Sequence, residues 1–159
     1  GDNQKWKLIR TEPVVKAETY YRIQSRISGK YLDIAGDALA DGTQLQQWDL
    51  SGGDNQKWKF EYAGNGYYKI RVKHSGKVIS VTDSQMHNGA NVVQWSDYGG
   101  NNQLWRLEGA GQGFYFMRVK HSGKILDLNA SSNSSINDAK VIQWNFNGGD
   151  NQKWKFIQA

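Results

Sequence analysis

Apolar and polar residues alternate at the start of three units along this 159-residue chain. The units begin 47 residues apart, at Tyr21, Tyr68 and Tyr115. In the second unit, Ile70 and Val72 alternate with the cations Lys69 and Arg71. A period of two residues is typical of a β-strand with one face in the core and the other in solvent. Each unit is therefore predicted to open with a half-buried strand.

Three further short strands are predicted in each unit. A Ser-Gly-Lys turn at residues 28–30, 75–77 and 122–124 favours a hairpin after the first strand. A second apolar run and a polar loop follow. The third strand ends, and the fourth begins, at a tryptophan: Trp48 and Trp58, Trp95 and Trp105, Trp144 and Trp154. Four strands in each of three units predict an all-β protein of twelve strands, and no stretch has sustained helical spacing.

A twelve-residue block recurs near the end of each unit. It reads QWDLSGGDNQKW at 47–58, QWSDYGGNNQLW at 94–105 and QWNFNGGDNQKW at 143–154. Repetition at this period indicates one supersecondary unit copied three times, each copy too small to bury its own core. The prediction is a single pseudosymmetric domain over 21–159, with repeats 21–67, 68–114 and 115–159. A site within one repeat can then occur up to three times.

The N-terminal segment resembles the end of a repeat. Residues 1–8 read GDNQKWKL and residues 149–156 read GDNQKWKF, whereas residues 9–20 contain the only proline and no glycine. We expect residues 1–20 to be the tail of a preceding repeat followed by a linker, in a longer protein with another copy of this domain. The alternative is that residues 1–8 add a strand to this domain.

The composition fits a small all-β domain and excludes several kinds of site. Glycine is frequent (18 residues), aromatic residues reach 13% and mean hydropathy is −0.75. No run approaches the roughly 20 apolar residues of a membrane helix, and no signal peptide is visible. The absence of cysteine excludes disulfides and thiolate metal sites. No metal-ligand spacing or phosphate loop is present, so no metal or cofactor is predicted.

The repeats resemble the ricin-B-type β-trefoil lectins and the related carbohydrate-binding modules of bacterial glycan-degrading enzymes. The resemblance covers residues 21–156 and depends on an aspartate just after the second strand, a later tryptophan and the N-Q-x-W ending. It implies a six-stranded barrel capped by three hairpins. It also implies a secreted, multivalent, non-catalytic domain that binds galactose-containing glycans or plant polysaccharides. The domain would be joined to a catalytic or second trefoil domain and would target a secreted enzyme. The alternative is the cell-surface-glycan-binding part of a toxin or haemagglutinin.

The resemblance also implies a sugar pocket in each repeat. An acidic residue accepts hydrogen bonds from sugar hydroxyls, a tryptophan stacks on the C–H face of the sugar, and an Asn-Gln pair supports both. In the first repeat these residues are Asp33, Gln46, Trp48, Asn55 and Gln56. In the third repeat they are Asp127, Trp144, Asn151 and Gln152. A carboxylate, an amide and an aromatic ring match the polar and apolar surfaces of a sugar without that analogy.

The second repeat departs from this pattern and is predicted to be weak or silent. Its pocket residues are Ser80, Trp95, Asn102 and Gln103, so a hydroxyl replaces the carboxylate. Asp83 would compensate only if its loop folds back. In the third repeat, Ile142 replaces the glutamine found at Gln46, which makes the first pocket the best candidate.

Two alternatives concern the aromatic and amide residues. Trp58, Trp105 and Trp154 are predicted to lie in the core, since they begin strands that continue with an alternating apolar residue. Trp48, Trp95 and Trp144 are either sugar platforms or hydrophobic cap residues. The three asparagines lie in Gly-rich turns, where asparagine is favoured for backbone reasons alone.

Other classes of function are disfavoured. Glycoside hydrolysis needs two carboxylates about 5–10 Å apart, and Asp33 and Asp127 lie in different repeats. His74 and His121 flank hairpin turns, where the first repeat has Ile27, and are interpreted as surface residues. Net charge is +5, but the lysines recur with the repeats, unlike a concentrated nucleic-acid patch. Protein-binding trefoils lack the N-Q-x-W ending.

Overall fold

The computed structural model describes residues 14–129 and 135–159, which form twelve β-strands and five short 3₁₀ turns. The strands are β1 Tyr20–Ser25, β2 Tyr31–Ile34, β3 Leu45–Trp48, β4 Trp58–Gly64, β5 Tyr67–Val72, β6 Val78–Val81, β7 Val92–Trp95, β8 Trp105–Gly111, β9 Phe114–Val119, β10 Ile125–Leu128, β11 Val141–Trp144 and β12 Trp154–Gln158. The predicted four-strand units are confirmed. Each unit opens one residue earlier than predicted, at Tyr20, Tyr67 and Phe114.

Six strands close into a barrel. Strand β1 pairs with β12 and β4, β5 pairs with β4 and β8, and β9 pairs with β8 and β12. All of these pairs are antiparallel, and each of the six strands has a partner on both sides, so the ring has no free edge. The remaining strands form three hairpins, β2–β3, β6–β7 and β10–β11. This is the β-trefoil that the family resemblance implied, and it contains the twelve strands predicted from the repeats.

The three hairpins join each other at one end of the barrel. Isolated bridges link Gln44 with Val93, Gln46 with Lys140 and Asn91 with Ile142. The side-chain amide nitrogen of Gln44 also lies 2.8–2.9 Å from carbonyl oxygens of all three repeats, those of Leu45, Val92 and Val141. A single polar side chain thus satisfies backbone groups where the repeats meet, which buried carbonyls require.

The three tryptophans that begin the fourth strands lie in the core, as predicted. Trp58, Trp105 and Trp154 are fully buried. Each indole N–H donates a hydrogen bond to a second-strand carbonyl of its own repeat, at Leu32 (3.2 Å), Ile79 (3.0 Å) and Leu126 (3.1 Å). Each tryptophan therefore fills the core and fixes a hairpin to the barrel.

One prediction concerns the N-terminal segment, and another concerns membrane-spanning helices. Residues 1–8, proposed to be the tail of another repeat, lie outside the described residues, and the first described strand begins at Tyr20. No helix among the residues with described structure is long and apolar enough to cross a membrane.

Candidate functional site

The acidic residue of the first pocket lies inside strand β2, not after it as expected. Asp33 pairs with Gln46 across the β2–β3 hairpin. Side chains two residues apart in a strand share a face, so Trp48 projects from the same face as Gln46 and Asp33. The hairpin register therefore sets the spacing between the carboxylate and the ring. The local sequence tolerates a buried aspartate because its oxygens are hydrogen-bonded.

Three amides hold the Asp33 carboxylate. Gln46 Nε2 donates to Oδ1 at 3.1 Å, while Gln56 Nε2 and Asn55 Nδ2 donate to Oδ2 at 2.9 and 3.3 Å. Gln56 is fully buried and also donates to the carbonyl of Asp49 at 2.9 Å. The predicted support from behind the carboxylate is thus present. Asp33 is only 4% exposed but lines the pocket, and the amide hydrogen bonds orient its carboxylate as an acceptor there.

The Gly-rich turn places Asn55 at the pocket wall. Asn55 and Gln56 belong to the 3₁₀ turn Asp54–Gln56, which begins after Gly53. A Cβ at residue 53 would lie 2.7 Å from Asn55 Oδ1, so the asparagine needs a glycine there. Asn55 Nδ2 also donates to the carbonyl of Ile34 at 3.1 Å. Its Oδ1 accepts no hydrogen bond from the described residues and remains available to a ligand.

Trp48 completes an open pocket in the first repeat. It is 39% exposed, and Trp95 and Trp144 are 37% and 41% exposed, unlike the buried tryptophans of the core. Trp48 lines a cavity of about 400 Å³ together with Asp33, Gln46 and Asn55. Exposure of this kind suits a platform better than a hydrophobic cap residue. The pocket offers two kinds of acceptor oxygen beside an apolar ring face.

The third repeat builds a similar pocket with one fewer amide. Asn151 Nδ2 donates to Asp127 Oδ1 at 3.1 Å, and Gln152 Nε2 donates to Oδ2 at 2.9 Å. Asp127 pairs with Ile142, which stands where the first repeat has a glutamine. The cavity of about 340 Å³ is lined by Asp127, Ile142, Trp144 and Asn151. Both predicted carboxylate pockets are therefore open.

The second pocket is closed by a residue that the sequence analysis did not select. Tyr98 Oη donates to Asn102 Oδ1 at 2.8 Å, and the cavity is only about 100 Å³. Gln103 Nε2 donates to Ser80 Oγ at 2.9 Å, in place of a carboxylate. Trp95 also lines this cavity. Asp83 lies at its rim but forms no hydrogen bond with Asn102 or Gln103, so it does not replace the missing acid.

Burial sets the electrostatics of the two acids. Desolvation raises the pKa of Asp127 to about 6, although hydrogen bonds from Gln152 and Asn151 act in the opposite direction. Burial also raises the pKa of Asp33, against the lowering effect of hydrogen bonds from Gln56 and Gln46. The pockets therefore hold carboxylates whose negative charge is poorly solvated, and such a group gains from new hydrogen-bond donors.

The two histidines are not simple surface residues, which corrects that interpretation. A ring nitrogen of His74 hydrogen-bonds the carbonyl of Ala38 at 2.8 Å, and His121 makes the same contact with Gln85. Both carbonyls follow a pocket-lining 3₁₀ turn of the preceding repeat. The histidines thus hold loops of neighbouring repeats together. Ile27 takes this position in the first repeat and lines the third pocket.

A second set of glutamines was missed, although its signal is in the repeated block. Gln94, which precedes Trp95, donates to the carbonyls of Ala38 and Ala40 at 2.7 and 2.9 Å and accepts from Ser75 at 2.8 Å. In the same way, Gln143 donates to the carbonyls of Gln85 and His87 in the second repeat and accepts from Ser122. The Gln-Trp dipeptide therefore positions the ring by anchoring the residue before it. The Gln-Trp dipeptide and the Ser-Gly-Lys turn each occur once in every repeat, and this joint recurrence could have indicated the contact between them.

The whole chain matches one family model, that of the ricin-type beta-trefoil lectin domain-like proteins. Three overlapping matches cover residues 2–95, 54–144 and 101–159. The overlaps reflect the three repeats. The match agrees with the β-trefoil described above and with the family resemblance of the repeats.

Two solved structures are similar in fold and sequence. The designed threefold symmetric protein ThreeFoil is 44% identical, with a TM-score of 0.85 over 88% of this chain and 99% of its own. The exo-beta-1,3-galactanase 1,3Gal43A from Clostridium thermocellum is 31% identical, with a TM-score of 0.85 over 91% of this chain but 31% of its own. The chain thus corresponds to less than a third of that enzyme.

One curated relative is matched over a shorter stretch. The clotting factor G alpha subunit of Tachypleus tridentatus is 46% identical over 46 residues, which is 29% of this chain and 7% of that protein. The matched length is close to that of a single repeat. The chain spans only a small part of this relative.

Proposed function

This chain belongs to the ricin-type β-trefoil lectin domain-like family, and on that premise we propose that its first and third repeats are sugar-binding pockets. The fold supports carbohydrate binding, and domains of this type are generally non-catalytic. One observation carries the assignment. Two repeats each hold a buried carboxylate on amide donors beside an exposed tryptophan, in cavities of about 400 and 340 Å³.

The chemistry of binding follows from these contacts. The carboxylate oxygens of Asp33 and Asp127 accept hydrogen bonds from adjacent sugar hydroxyls. The free Oδ1 of Asn55 or Asn151 accepts another. The exposed ring of Trp48 or Trp144 stacks on the C–H face of the sugar, and a rigid ring loses little conformational entropy on binding. No covalent step is required, and the pocket keeps its geometry because glutamine side chains fix the acid from behind.

The proposed ligand is a galactose-containing glycan or a plant polysaccharide. In this proposal the domain is part of a secreted protein and directs an attached glycan-degrading enzyme to its substrate. The similarity to 31% of the length of an exo-beta-1,3-galactanase supports that arrangement. Two pockets on one domain favour a polymer over a free monosaccharide, because the second contact forms at high effective concentration.

Affinity electrophoresis tests the proposal directly. The protein is run through gels containing galactan, arabinan, xylan or no polysaccharide. It is then titrated with galactose and with lactose by calorimetry. We expect retardation by a galactan and a stoichiometry near two for the monosaccharide. Retardation by xylan alone would move the assignment to that polymer. Free migration in every gel and no heat with any sugar would contradict sugar binding.

A further inference from the structure

The turn after the first strand of each repeat lies beside the pocket of the preceding repeat. His74 contacts the carbonyl of Ala38, next to the rim residues Gly36 and Asp37 of the first pocket. His121 stands in the same relation to the second pocket through Gln85. Because β1 pairs with β12, the barrel closes this cycle. The turn of the first repeat is therefore the one that lies beside the third pocket.

This turn brings an aliphatic side chain into the third pocket. Ile27 occupies the histidine position, is 41% exposed and lines the cavity that contains Asp127 and Asn151. Ile142 lines the same cavity where the first pocket has Gln46. With Leu128, the third pocket has three aliphatic lining residues in addition to the ring of Trp144.

The first pocket has no such wall. Among its described lining residues are the carboxylates of Asp33 and Asp37, the amide of Gln46 and the hydroxyl of Ser51, and none is aliphatic. The two open pockets therefore share a carboxylate, an asparagine and a tryptophan but differ in the polarity of the surrounding wall. A ligand that covers the exposed Ile27 gains the free energy of removing apolar surface from water.

We propose that the third pocket selects a sugar that bears a methyl group and that Ile27 is the residue that determines this selectivity. The methyl group can belong to a 6-deoxy sugar or to an acetamido substituent, since both present the same apolar carbon. The first pocket does not discriminate in this way. The two pockets of the domain then bind two different monosaccharide units of one glycan. This inference rests on the proposed function, because it specifies the ligand of a proposed sugar pocket.

The expected size of the effect is modest and measurable. A 6-deoxy sugar replaces the hydroxymethyl group of its parent with a methyl group, whereas an acetamido sugar adds a methyl carbon. Contact of such an apolar carbon with Ile27 corresponds to about a fourfold gain in affinity, from about 0.8 kcal/mol per buried carbon. An Asp33→Ser background silences the first pocket and leaves the third to be titrated alone. The probes are D-galactose, 6-deoxy-D-galactose and N-acetyl-D-galactosamine, together with D-glucose, 6-deoxy-D-glucose and N-acetyl-D-glucosamine. Comparison of the deoxy and acetamido arms identifies the source of the methyl group.

In this background, at least one methyl-bearing sugar should bind about fourfold more tightly than its parent sugar. Ile27→Thr keeps the branched shape but shortens the apolar surface, and should remove that preference. The matched control is Ile27→Thr in an Asp127→Ser background, where affinity at the first pocket should not change. Equal affinity for methyl-bearing and parent sugars, or a preference that survives Ile27→Thr, would overturn the proposal. Binding at the first pocket with none of the six sugars bound at the third would also overturn it. Absence of binding at both pockets would instead count against the proposed function.

Discussion

The Tyr98 hydroxyl donates a 2.8 Å hydrogen bond to Oδ1 of Asn102, in the middle of the second pocket. The equivalent oxygens of Asn55 and Asn151 accept no hydrogen bond from the described residues. Ser51 and Asn147 stand in the position of Tyr98 in the other two repeats and line their pockets. The second repeat therefore retains the framework of a site but fills it with its own side chain. Loss of the acid at Ser80 and closure by Tyr98 occur in the same repeat.

Reopening the second pocket should create a third binding site. The double substitution Ser80→Asp and Tyr98→Ser restores the carboxylate and the serine of the first pocket, with Val93 in place of Gln46. Gln103 already points an N–H at residue 80 from 2.9 Å. We expect the calorimetric stoichiometry for monosaccharide to rise from about two to about three. Ser80→Asp alone is the control, since it retains Tyr98 and its hydrogen bond to Asn102 and so keeps the pocket closed. A folded double variant that still binds two sugars would refute this account of the silent repeat.

Sugar affinity at the third pocket should depend on pH. The pKa of Asp127 is about 6, so at pH 5 about one molecule in ten has the ionised acceptor, and affinity should fall about tenfold between pH 7 and pH 5. Titration of an Asp33→Ser protein across this range isolates the effect. The same protein with Asp127→Asn, whose third pocket does not titrate, serves as the control and should bind sugar weakly with no dependence on pH. An unchanged affinity at pH 5 would mean that the neutral acid binds sugar equally well.

The same pKa predicts the opposite trend for stability. Because burial raises the pKa of Asp127 above its usual value of 3.8, the folded state holds this proton more tightly than the unfolded chain. The contribution of this group to the free energy of unfolding is therefore greatest below pH 4 and decreases as pH rises from about 4 to about 6. Comparison of denaturant unfolding for the natural protein and Asp127→Asn at pH 4 and 7 measures this contribution. A difference that grows in the other direction would show that the hydrogen bonds outweigh burial.

The two sets of tryptophans should respond differently to truncation. Trp58→Ala removes a fully buried ring and its hydrogen bond to Leu32, and should destabilise the fold by about 3–5 kcal/mol. Trp48→Ala removes a ring that is 39% exposed and should abolish binding at the first pocket with a smaller loss of stability. Melting temperature and sugar affinity are measured for both. If Trp48→Ala unfolds the protein as severely as Trp58→Ala, the stacking role must belong to another aromatic residue.

The repeat pattern predicted the fold because each structural element is marked three times. The alternating residues around Ile70 predicted a barrel strand, and the position of Trp58 at the start of the fourth strand predicted its burial. The placement of Asp33 within β2 was not predicted, because a buried carboxylate in a strand is unfavourable unless it is hydrogen-bonded. Its donors cannot be identified from the neighbouring sequence. Those donors come from Gln46 on the partner strand and from Asn55 and Gln56 in a separate turn.

Contacts between repeats explain what the sequence did not reveal about the site. His74 and Ile27 occupy equivalent sequence positions, yet one holds a loop carbonyl and the other lines a pocket of a different repeat. His74 and the carbonyl that it contacts, that of Ala38, are 36 residues apart in the sequence. Ile27 and Asp127 line the same cavity only because the barrel closes. The role of Tyr98 depended on side-chain direction, because the turn that holds it is equally compatible with a ring in solvent.

Calorimetry on Asp33→Ser, Asp127→Ser and the double variant tests the central claim most directly. Serine is the residue that the second repeat has at this position, and Gln103 shows that the supporting glutamine retains a partner there, so each variant should fold. Loss of a charge-assisted acceptor should weaken binding about 10- to 150-fold, from about 1.5–3 kcal/mol. Each single variant should therefore lose one of two binding sites, and the double variant should bind no sugar at concentrations that saturate the natural protein. Undiminished binding by a folded double variant would contradict the assignment of sugar binding to these two pockets.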